Sequence, residues 1–262
     1  MPFLQFRNLG ERRSLRFRCE KAVGETQGPL RKRRPAAFCA HTGGMEKPES
    51  VSTEQLTVAQ WTEKLSQTTG VPGGGAGSGV MLSMAAALIC MAAGYSEDTD
   101  ADGEAGRVRR RGEILRSDSL QLADEDAACS ASFGEAFHVP SGPARSAAIC
   151  GAALQAARSS AAIATRAATA VDDIRWLAEY GNQALVADMV VALGALRASI
   201  SGCRANVCFD LSTLQAHRDP EQPEGEAADL HGTIEQLDRA LARIDELSAA
   251  IDARIRGRLS GD

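Results

Sequence analysis

A glycine-rich stretch directly before a long apolar segment places the strongest constraint on how this chain can fold. Residues 70–79 read GVPGGGAGSG, with six glycines in ten residues, and residues 80–93 continue with VMLSMAAALICMAA. Glycine loses more backbone freedom on folding than any other residue, so this cluster needs a structural or functional reason. Three reasons are available: a phosphate-binding loop, a helix start packed close to another backbone, or a flexible linker.

The glycine pattern excludes the standard nucleotide-binding loops. A P-loop needs a lysine after its last glycine, and no register of this stretch matches GxGxxG. Gly73 and Gly77 lie four residues apart, as do Gly75 and Gly79. This spacing lets a second backbone approach one face of a helix, and amide groups at a helix N-terminus can bind electron-rich ligand groups. A tight helix crossing is favoured, and the same glycines could also form the floor of a ligand site.

Hydrophobic residues recur at helical spacing through most of the chain after residue 51, and no stretch alternates like a half-buried strand. Because a membrane-spanning helix needs about 20 apolar residues, the shorter run at 80–93 is expected to be a buried core helix. The motif SxxQ at 52–55 resembles a capping box. Further helices are expected at 56–65, 107–137, 144–180, 181–214 (as one long helix) and from Leu230 to Ile255. These patterns predict an all-α multihelical bundle of about six or seven helices.

The first 50 residues differ from the rest in charge and hydrophobicity. Residues 1–44 carry ten Lys or Arg and three acids, and because the whole chain has a net charge of −5, the remainder stands at −12. Charged segments of low hydrophobicity stay disordered, so 1–50 is interpreted as a disordered basic extension and 51–262 as the helical domain. A transit peptide or a nucleic-acid-binding arm remain alternatives, and Met45 could be the natural start. The acidic domain argues against nucleic acid as the main partner.

Cysteine and histidine spacing gives no sign of a metal site. The seven cysteines contain no CxxC pair and the four histidines no HExxH motif. We therefore expect reduced thiols, a cytoplasmic protein, no metal and no cofactor.

Two groups of polar residues stand out on alanine-rich helices. In LADEDAACS, Asp124, Glu125 and Asp126 are consecutive and cannot share one helix face, so one of them is expected to point inward. In the block 181–214, one face carries small residues in its middle and polar residues at both ends. Its members are Asp188, Ala192, Ala195, Ser199, Gly202, Asn206 and Asp210. A polar group on such a seam must be hydrogen-bonded or functional. The alternative to a functional site is a structural role, in which these residues cap helices and form hydrogen bonds where two helices cross.

Four stretches together resemble the cyclodeaminase/cyclohydrolase family, the C-terminal domain family of formiminotransferase-cyclodeaminase, which includes stand-alone methenyltetrahydrofolate cyclohydrolases. They are LTVAQWTEKL, VPGGGAGSGVMLSMAAALICMAA, LADEDAA and GNQALVADMVVALGALRASISGCRANVCFDL. The resemblance covers about residues 54–258. It implies a homodimer of long packed helices, a folate cleft near the dimer interface, and chemistry on the carbon bridging N5 and N10 of tetrahydrofolate.

The resemblance assigns expected roles to particular residues. A carboxylate would act as general acid or base, and the substrate would lie on glycine backbone and amide side chains. The catalytic candidates are Asp124, Asp126 and Asp188. The substrate-binding candidates are Gly73, Gly74, Gly75, Asn182, Asn206 and Asp210. Hydrolysis of 5,10-methenyltetrahydrofolate to 10-formyltetrahydrofolate is favoured, because about 50 N-terminal residues are too few for a transferase domain.

The chain departs from the family pattern at several polar positions. Ala76 and Ala187 stand where serine is usual, Asp210 where asparagine is usual, and Ser130 where phenylalanine is usual. An acidic segment, SEDTDADGEAG, replaces a lysine-rich one. Two alternatives therefore stay open: formiminotetrahydrofolate cyclodeamination with release of ammonia, and a non-catalytic helical dimer that binds folate.

Overall fold

Residues 52–68, 70–218 and 227–260 are described by the computed structural model, and helices make up most of them. The α-helices are α1 (Val58–Leu65), α2 (Gly74–Gly94), α3 (Glu104–Ala136), α4 (Pro143–Thr169), α5 (Val171–Tyr180), α6 (Val186–His217) and α7 (Ala228–Ser260). Short 3₁₀ turns lie at Thr53–Gln55, Glu97–Thr99 and Gln183–Leu185, and no strand occurs within these ranges. The predicted all-α fold of long packed helices is confirmed. These residues belong to one unit, Glu49–Asp262, whereas the basic extension predicted for 1–50 lies outside the described residues.

Helix α2 lies at the centre of the fold, packed between α3 and α6. Its side chains Leu82, Ala86 and Ile89 are fully buried, as expected for a core helix. The helix begins at Gly74, earlier than the apolar run alone predicts, so four of the glycines belong to its first turns. The glycine stretch is therefore a helix start, not a linker.

Glycines on both helices set the close packing of α2 against α3. A Cβ added at Gly79 would lie 2.9 Å from the Ala123 Cβ and 3.0 Å from the Ser119 carbonyl oxygen. A Cβ added at Gly112 would lie 2.7 Å from the Cys90 sulfur. Such distances are too short for carbon contacts, so a side chain at either position would force the helices apart.

Two helix boundaries differ from the sequence prediction. The helical stretch predicted over 144–180 consists of two helices, because Ala170 ends α4 and precedes α5. The block predicted as a single helix from Gly181 begins only at Val186, because Gly181 ends α5 and Asn182 caps a separate 3₁₀ turn. Apolar spacing alone does not reveal these breaks, since the flanking residues stay in helical register.

The predicted capping box at 52–55 is wrong. Ser52 caps the 3₁₀ turn Thr53–Gln55, and the reciprocal hydrogen bonds of a capping box instead join Thr57 and Gln60 at the start of α1. The Thr57 amide donates to the Gln60 side chain at 2.9 Å, and the Gln60 amide donates to Thr57 Oγ1 at 3.2 Å.

The C-terminal amphipathic helix is confirmed as α7. Leu230, Leu237, Ile244 and Ile251 are buried at intervals of seven residues, which is the spacing of a helix that packs along one long seam. On its polar side, Asp245 accepts a hydrogen bond of 2.7 Å from Arg197 of α6.

Among the residues that the structure describes, two helical segments are long and apolar enough to cross a membrane, namely Gly74–Gly94 and Gln183–His217. Core helices of soluble proteins pass the same test. The α2 segment is covered on two sides by α3 and α6, whereas α6 leaves apolar side chains such as Val191 and Phe209 exposed.

Candidate active site

A cavity of about 300 Å³ lies where the first turn of α2 meets α3, α4 and α6. Its lining is Gly70, Gly73, Gly74, Gly75, Asp126, Ser130, Phe133, Gly134, Ala156, Ser160, Asn206, Phe209 and Asp210. Three larger grooves on the described residues contain no buried ionisable side chain. The smaller cavity is therefore the candidate site, because buried ionisable groups in a cleft are typical of catalytic sites.

Asp126 is the buried member of the DED triplet, with 3% of its surface exposed. Its Oδ1 accepts a hydrogen bond of 3.2 Å from the Ser160 hydroxyl on α4. Burial raises the pKa of the Asp126 carboxyl, and hydrogen bonds, first that of Ser160, offset part of the rise. The sequence prediction that one of the three acids points inward is confirmed, and the inward one is Asp126.

Gly75 brings the backbone of α2 directly against the Asp126 carboxylate. A Cβ added at Gly75 would lie 2.5 Å from both Cγ and Oδ1 of Asp126, so any side chain there would displace the carboxylate. The backbone amide of Ala76 also contributes a hydrogen bond to Asp126. This amide belongs to the first turn of α2, where the free N–H groups of the helix favour a negative charge.

A second close approach joins α2 to α6. A Cβ added at Gly202 would lie 2.9 Å from the Ser78 hydroxyl oxygen. The glycine run of α2 and the small-residue seam of α6 therefore face each other, and the predicted tight crossing is confirmed on both helices.

Asn206 and Asp210 extend the polar lining from Asp126 along α6. The Asn206 amide nitrogen donates to Ser160 Oγ at 3.4 Å, and Ser160 in turn donates to Asp126. Asp210 is buried, with 7% exposed, and burial, followed by the negative charge of Asp126, raises its pKa to about 7. Six of the predicted site residues thus share one cavity: Gly73, Gly74, Gly75, Asp126, Asn206 and Asp210.

Asp124 lies outside the cavity lining and holds the segment before α1. Its carboxylate accepts hydrogen bonds from the Ser52 hydroxyl at 2.8 Å and the Thr53 amide at 3.0 Å, and also from the Thr53 hydroxyl. These contacts give Asp124 a structural task that accounts for its partly buried position.

Asp188 and Asn182 lie at the opposite end of α6 from the cavity. Asp188 belongs to the first turn of α6, and the 22-residue separation from Asp210 corresponds to about 33 Å along a helix. Asn182 is exposed, and its side chain accepts a hydrogen bond of 3.0 Å from the Ala184 amide. Within one chain, neither residue shares the cavity with Asp126.

Several residues that line the cavity were not predicted from the sequence, and the most important of them is Ser160. It is buried on α4 in a line of small residues, and a serine among buried alanines must find a hydrogen-bond partner. That signal marks Ser160 as a candidate for an inward polar contact without identifying Asp126 as its partner. Ser130, noted only as a departure from the family pattern, also contributes a hydrogen bond to Asp126.

Among the described residues, no group of three or more His, Cys, Asp or Glu side chains is arranged to hold a metal ion. What the cavity offers instead is two buried carboxyl groups, hydroxyl and amide groups, and a glycine floor. This set of groups is suited to proton transfer on a bound organic substrate.

The helical fold, with a carboxyl-lined cavity beside a glycine-rich helix start, defines the class as an all-α protein built around one central core helix. The family model described as formiminotransferase-cyclodeaminase matches residues 57–228. The chain belongs to this family, which confirms the resemblance drawn from the sequence.

One solved structure shows the same fold. It is the crystal structure of formiminotetrahydrofolate cyclodeaminase from Thermotoga maritima, which aligns with a TM-score of 0.66 at 20% sequence identity. The alignment covers 79% of this chain and 98% of that chain. No curated protein sequence gives a significant match.

Proposed function

We propose that this chain binds a tetrahydrofolate derivative in the cavity at Asp126 and hydrolyses 5,10-methenyltetrahydrofolate to 10-formyltetrahydrofolate. Family membership supports a substrate of this class. The observation that carries the reaction is the buried Asp126 carboxyl, whose burial raises its pKa. A carboxyl group with a raised pKa is a more effective proton acceptor than a solvated one near neutral pH.

The proposed chemistry begins at the methenyl carbon, which is electrophilic because it lies between two nitrogens that share a positive charge. Asp126 accepts a proton from a water molecule as the oxygen attacks this carbon. Ser160 orients the carboxylate through its 3.2 Å hydrogen bond, and Asn206 orients Ser160. The glycine floor lets the planar pterin ring approach the backbone of α2, because no side chain intervenes.

A second candidate is cyclodeamination of formiminotetrahydrofolate, favoured by the description of the family. In that reaction N10 closes onto the formimino carbon and ammonia leaves. The same carboxyl groups would serve, since this reaction also needs a proton donor for the departing nitrogen. The two candidates differ in substrate and in the release of ammonia, so both can be assayed on one preparation.

An absorbance assay on the full chain tests the proposal. Loss of methenyltetrahydrofolate is followed near neutral pH against its spontaneous hydrolysis, and ammonia release from formiminotetrahydrofolate is measured in parallel. Asp126→Asn is expected to lower kcat by at least about 100-fold, the usual contribution of a positioned acid or base. Asp252→Asn, which removes an exposed charge on α7, is the matched control.

Three results would contradict this proposal in different ways. Ammonia release without methenyl hydrolysis would select the cyclodeaminase reaction. Tight folate binding without turnover of either substrate would select a non-catalytic binding protein. A loss of activity in Asp188→Asn but not in Asp126→Asn would show that the reacting group lies at the other end of α6.

A homodimer is the proposed assembly, and the outward face of α6 is its proposed contact surface. This face carries Val191, Gly194, Ala198, Ala205 and Phe209, none of them charged, and it leaves Val191 and Phe209 more than 60% exposed. Phe209 also lines the cavity, so a second copy on this face would adjoin the site. Sedimentation should show a dimer that Ala205→Glu dissociates, and a monomeric wild type would contradict the assignment.

A further inference from the structure

We propose that Asp126 and Asp210 form a carboxyl pair that shares one proton, and that Asp210 delivers this proton to the departing nitrogen of the substrate. The delivery step rests on the proposed function. The pair itself is a property of the protein alone and can be measured without substrate.

The geometry of the pair is a small cavity shared by two buried acids from different helices. Asp126 comes from α3 and Asp210 from α6, and both line the same space of about 300 Å³. Their exposed fractions are 3% and 7%. Two carboxyl groups in one poorly solvated site resist simultaneous ionisation, so the pair titrates in two separate steps.

The hydrogen bonds indicate which member of the pair carries the proton. Asp126 accepts hydrogen bonds from Ser160 and from the Ala76 amide, and these favour its ionised form. Asp210 has no hydrogen-bond partner among the residues that the structure describes. Burial and the facing Asp126 charge therefore leave the proton on Asp210, in accord with its pKa of about 7.

No cation in the described lining neutralises the pair. Across the cavity α2 presents glycines, α4 presents Ala156 and Ser160, and α6 adds the neutral Asn206. Cys203 of α6 is buried and does not line the cavity, and its thiol stays neutral because burial raises its pKa to about 12. Among the described lining residues, Asp126 is therefore the ionisable group that governs Asp210.

The proton count through hydrolysis closes with this pair. The water oxygen forms a bond to the methenyl carbon, the electron pair of the carbon–nitrogen double bond moves to nitrogen, and Asp126 takes the water proton. The carbon–N5 bond then breaks, its electron pair stays on N5, and Asp210 supplies the proton that N5 takes up. The hydroxyl proton of the intermediate returns to the pair as the formyl C=O forms, and one proton leaves to solvent.

Asparagine, which the family resemblance predicts at position 210, has the shape of aspartate but cannot deliver a proton. The variant Asp210→Asn therefore removes the proton carrier while keeping the size of the side chain. The full-length protein labelled with ¹³C at aspartate carboxyl carbons, without substrate, is titrated by NMR. One carboxyl signal is expected to titrate near pH 7, to disappear in Asp210→Asn and to persist in Asp252→Asn.

The pH dependence of kcat on methenyltetrahydrofolate tests the delivery step. Wild-type kcat is expected to fall as Asp210 loses its proton, above about pH 7. Asp210→Asn is expected to lower kcat by about 10- to 100-fold and to remove this alkaline limb.

The titration and the kcat measurements together distinguish failure of the carboxyl pair from failure of the proposed function. Aspartates that all titrate in the ordinary acid range would overturn the pair. A neutral titration together with Asp210→Asn activity equal to wild type would overturn proton delivery by Asp210. A neutral titration without turnover of any folate would overturn the proposed function and delivery while supporting the pair.

Discussion

Replacing Gly75 by alanine tests the link between the glycine stretch and the candidate site. The added methyl group would lie 2.5 Å from Cγ and Oδ1 of Asp126, about 1 Å closer than ordinary contact of carbon and oxygen. Either the carboxylate leaves its hydrogen bonds or α2 shifts away from α3, and overpacking of this kind costs about 1–3 kcal/mol. A displacement of about 1 Å at a reacting group can lower the rate about 100-fold.

Gly74 provides the matched control for this substitution. It lines the same cavity, but a Cβ added there would meet nothing within 4 Å. Gly74→Ala should leave the free energy of unfolding unchanged or raise it by up to about 1 kcal/mol, because alanine restricts the unfolded chain. Urea unfolding followed by circular dichroism measures both variants.

A double-mutant cycle isolates the contact with the carboxylate. In an Asp126→Ala background the carboxylate is absent, so the destabilisation by Gly75→Ala should shrink to within about 0.5 kcal/mol of that by Gly74→Ala. If the two glycine variants were equally stable with Asp126 present, the reasoning on close approach would be refuted.

Three further predictions concern buried or bonded carboxylates. Because folding raises the pKa of Asp210 from 3.8 to about 7, its contribution to stability is complete below about pH 4 and is lost as the pH rises to 7. As the pH rises between these limits, the free energy of unfolding of Asp210→Asn, measured in urea, should therefore increase relative to wild type by up to roughly 4 kcal/mol. A difference between the two proteins that does not change with pH would contradict this. Asp124→Ala should lower the free energy of unfolding by about 1–2 kcal/mol and expose Ser52–Gln55 to limited proteolysis. Unchanged proteolysis would show that the hydrogen bonds to Asp124 do not hold this segment in place. Asp173 Oδ1 accepts two hydrogen bonds from the Arg111 guanidinium, of 3.1 Å from Nε and 2.6 Å from Nη2. Asp173→Asn weakens both and should lower the free energy of unfolding by about 1–3 kcal/mol. An unchanged midpoint of thermal unfolding would count against this reasoning.

Helical periodicity predicted the fold class well because each long helix buries a regular stripe of apolar residues. The spacing of α7 from Leu230 to Ile255 and the apolar run of α2 were sufficient to place both helices. The break at Asn182 was missed because apolar spacing carries no sign of the hydrogen bond from the Ala184 amide to the Asn182 side chain.

Predicted polar residues that lie on a seam of small residues meet in the candidate cavity, whereas Asp124 and Asn182 form hydrogen bonds outside it. Asp126, Asn206 and Asp210 interrupt small or apolar faces, and they meet in one cavity. Asp124 and Asn182 have the same residue types, but Asp124 accepts a hydrogen bond from Ser52, far away in sequence, and Asn182 accepts one from the neighbouring Ala184 amide. No spacing rule separates these cases, because the partners of Asp124 lie about 70 residues away in sequence.

Small residues on two helices together explain why a carboxyl pair can exist at this place in the fold. Gly75 admits the Asp126 carboxylate to the first turn of α2, and Gly202 admits α6 to the same helix beside Ser78. Larger side chains at either position would separate the helices that carry Asp126 and Asp210, and water entering the gap would lower the pKa of both carboxyls. The glycine run and the small-residue seam are therefore both needed, because α3 and α6 must each approach α2 closely to keep the two acids in a poorly solvated space.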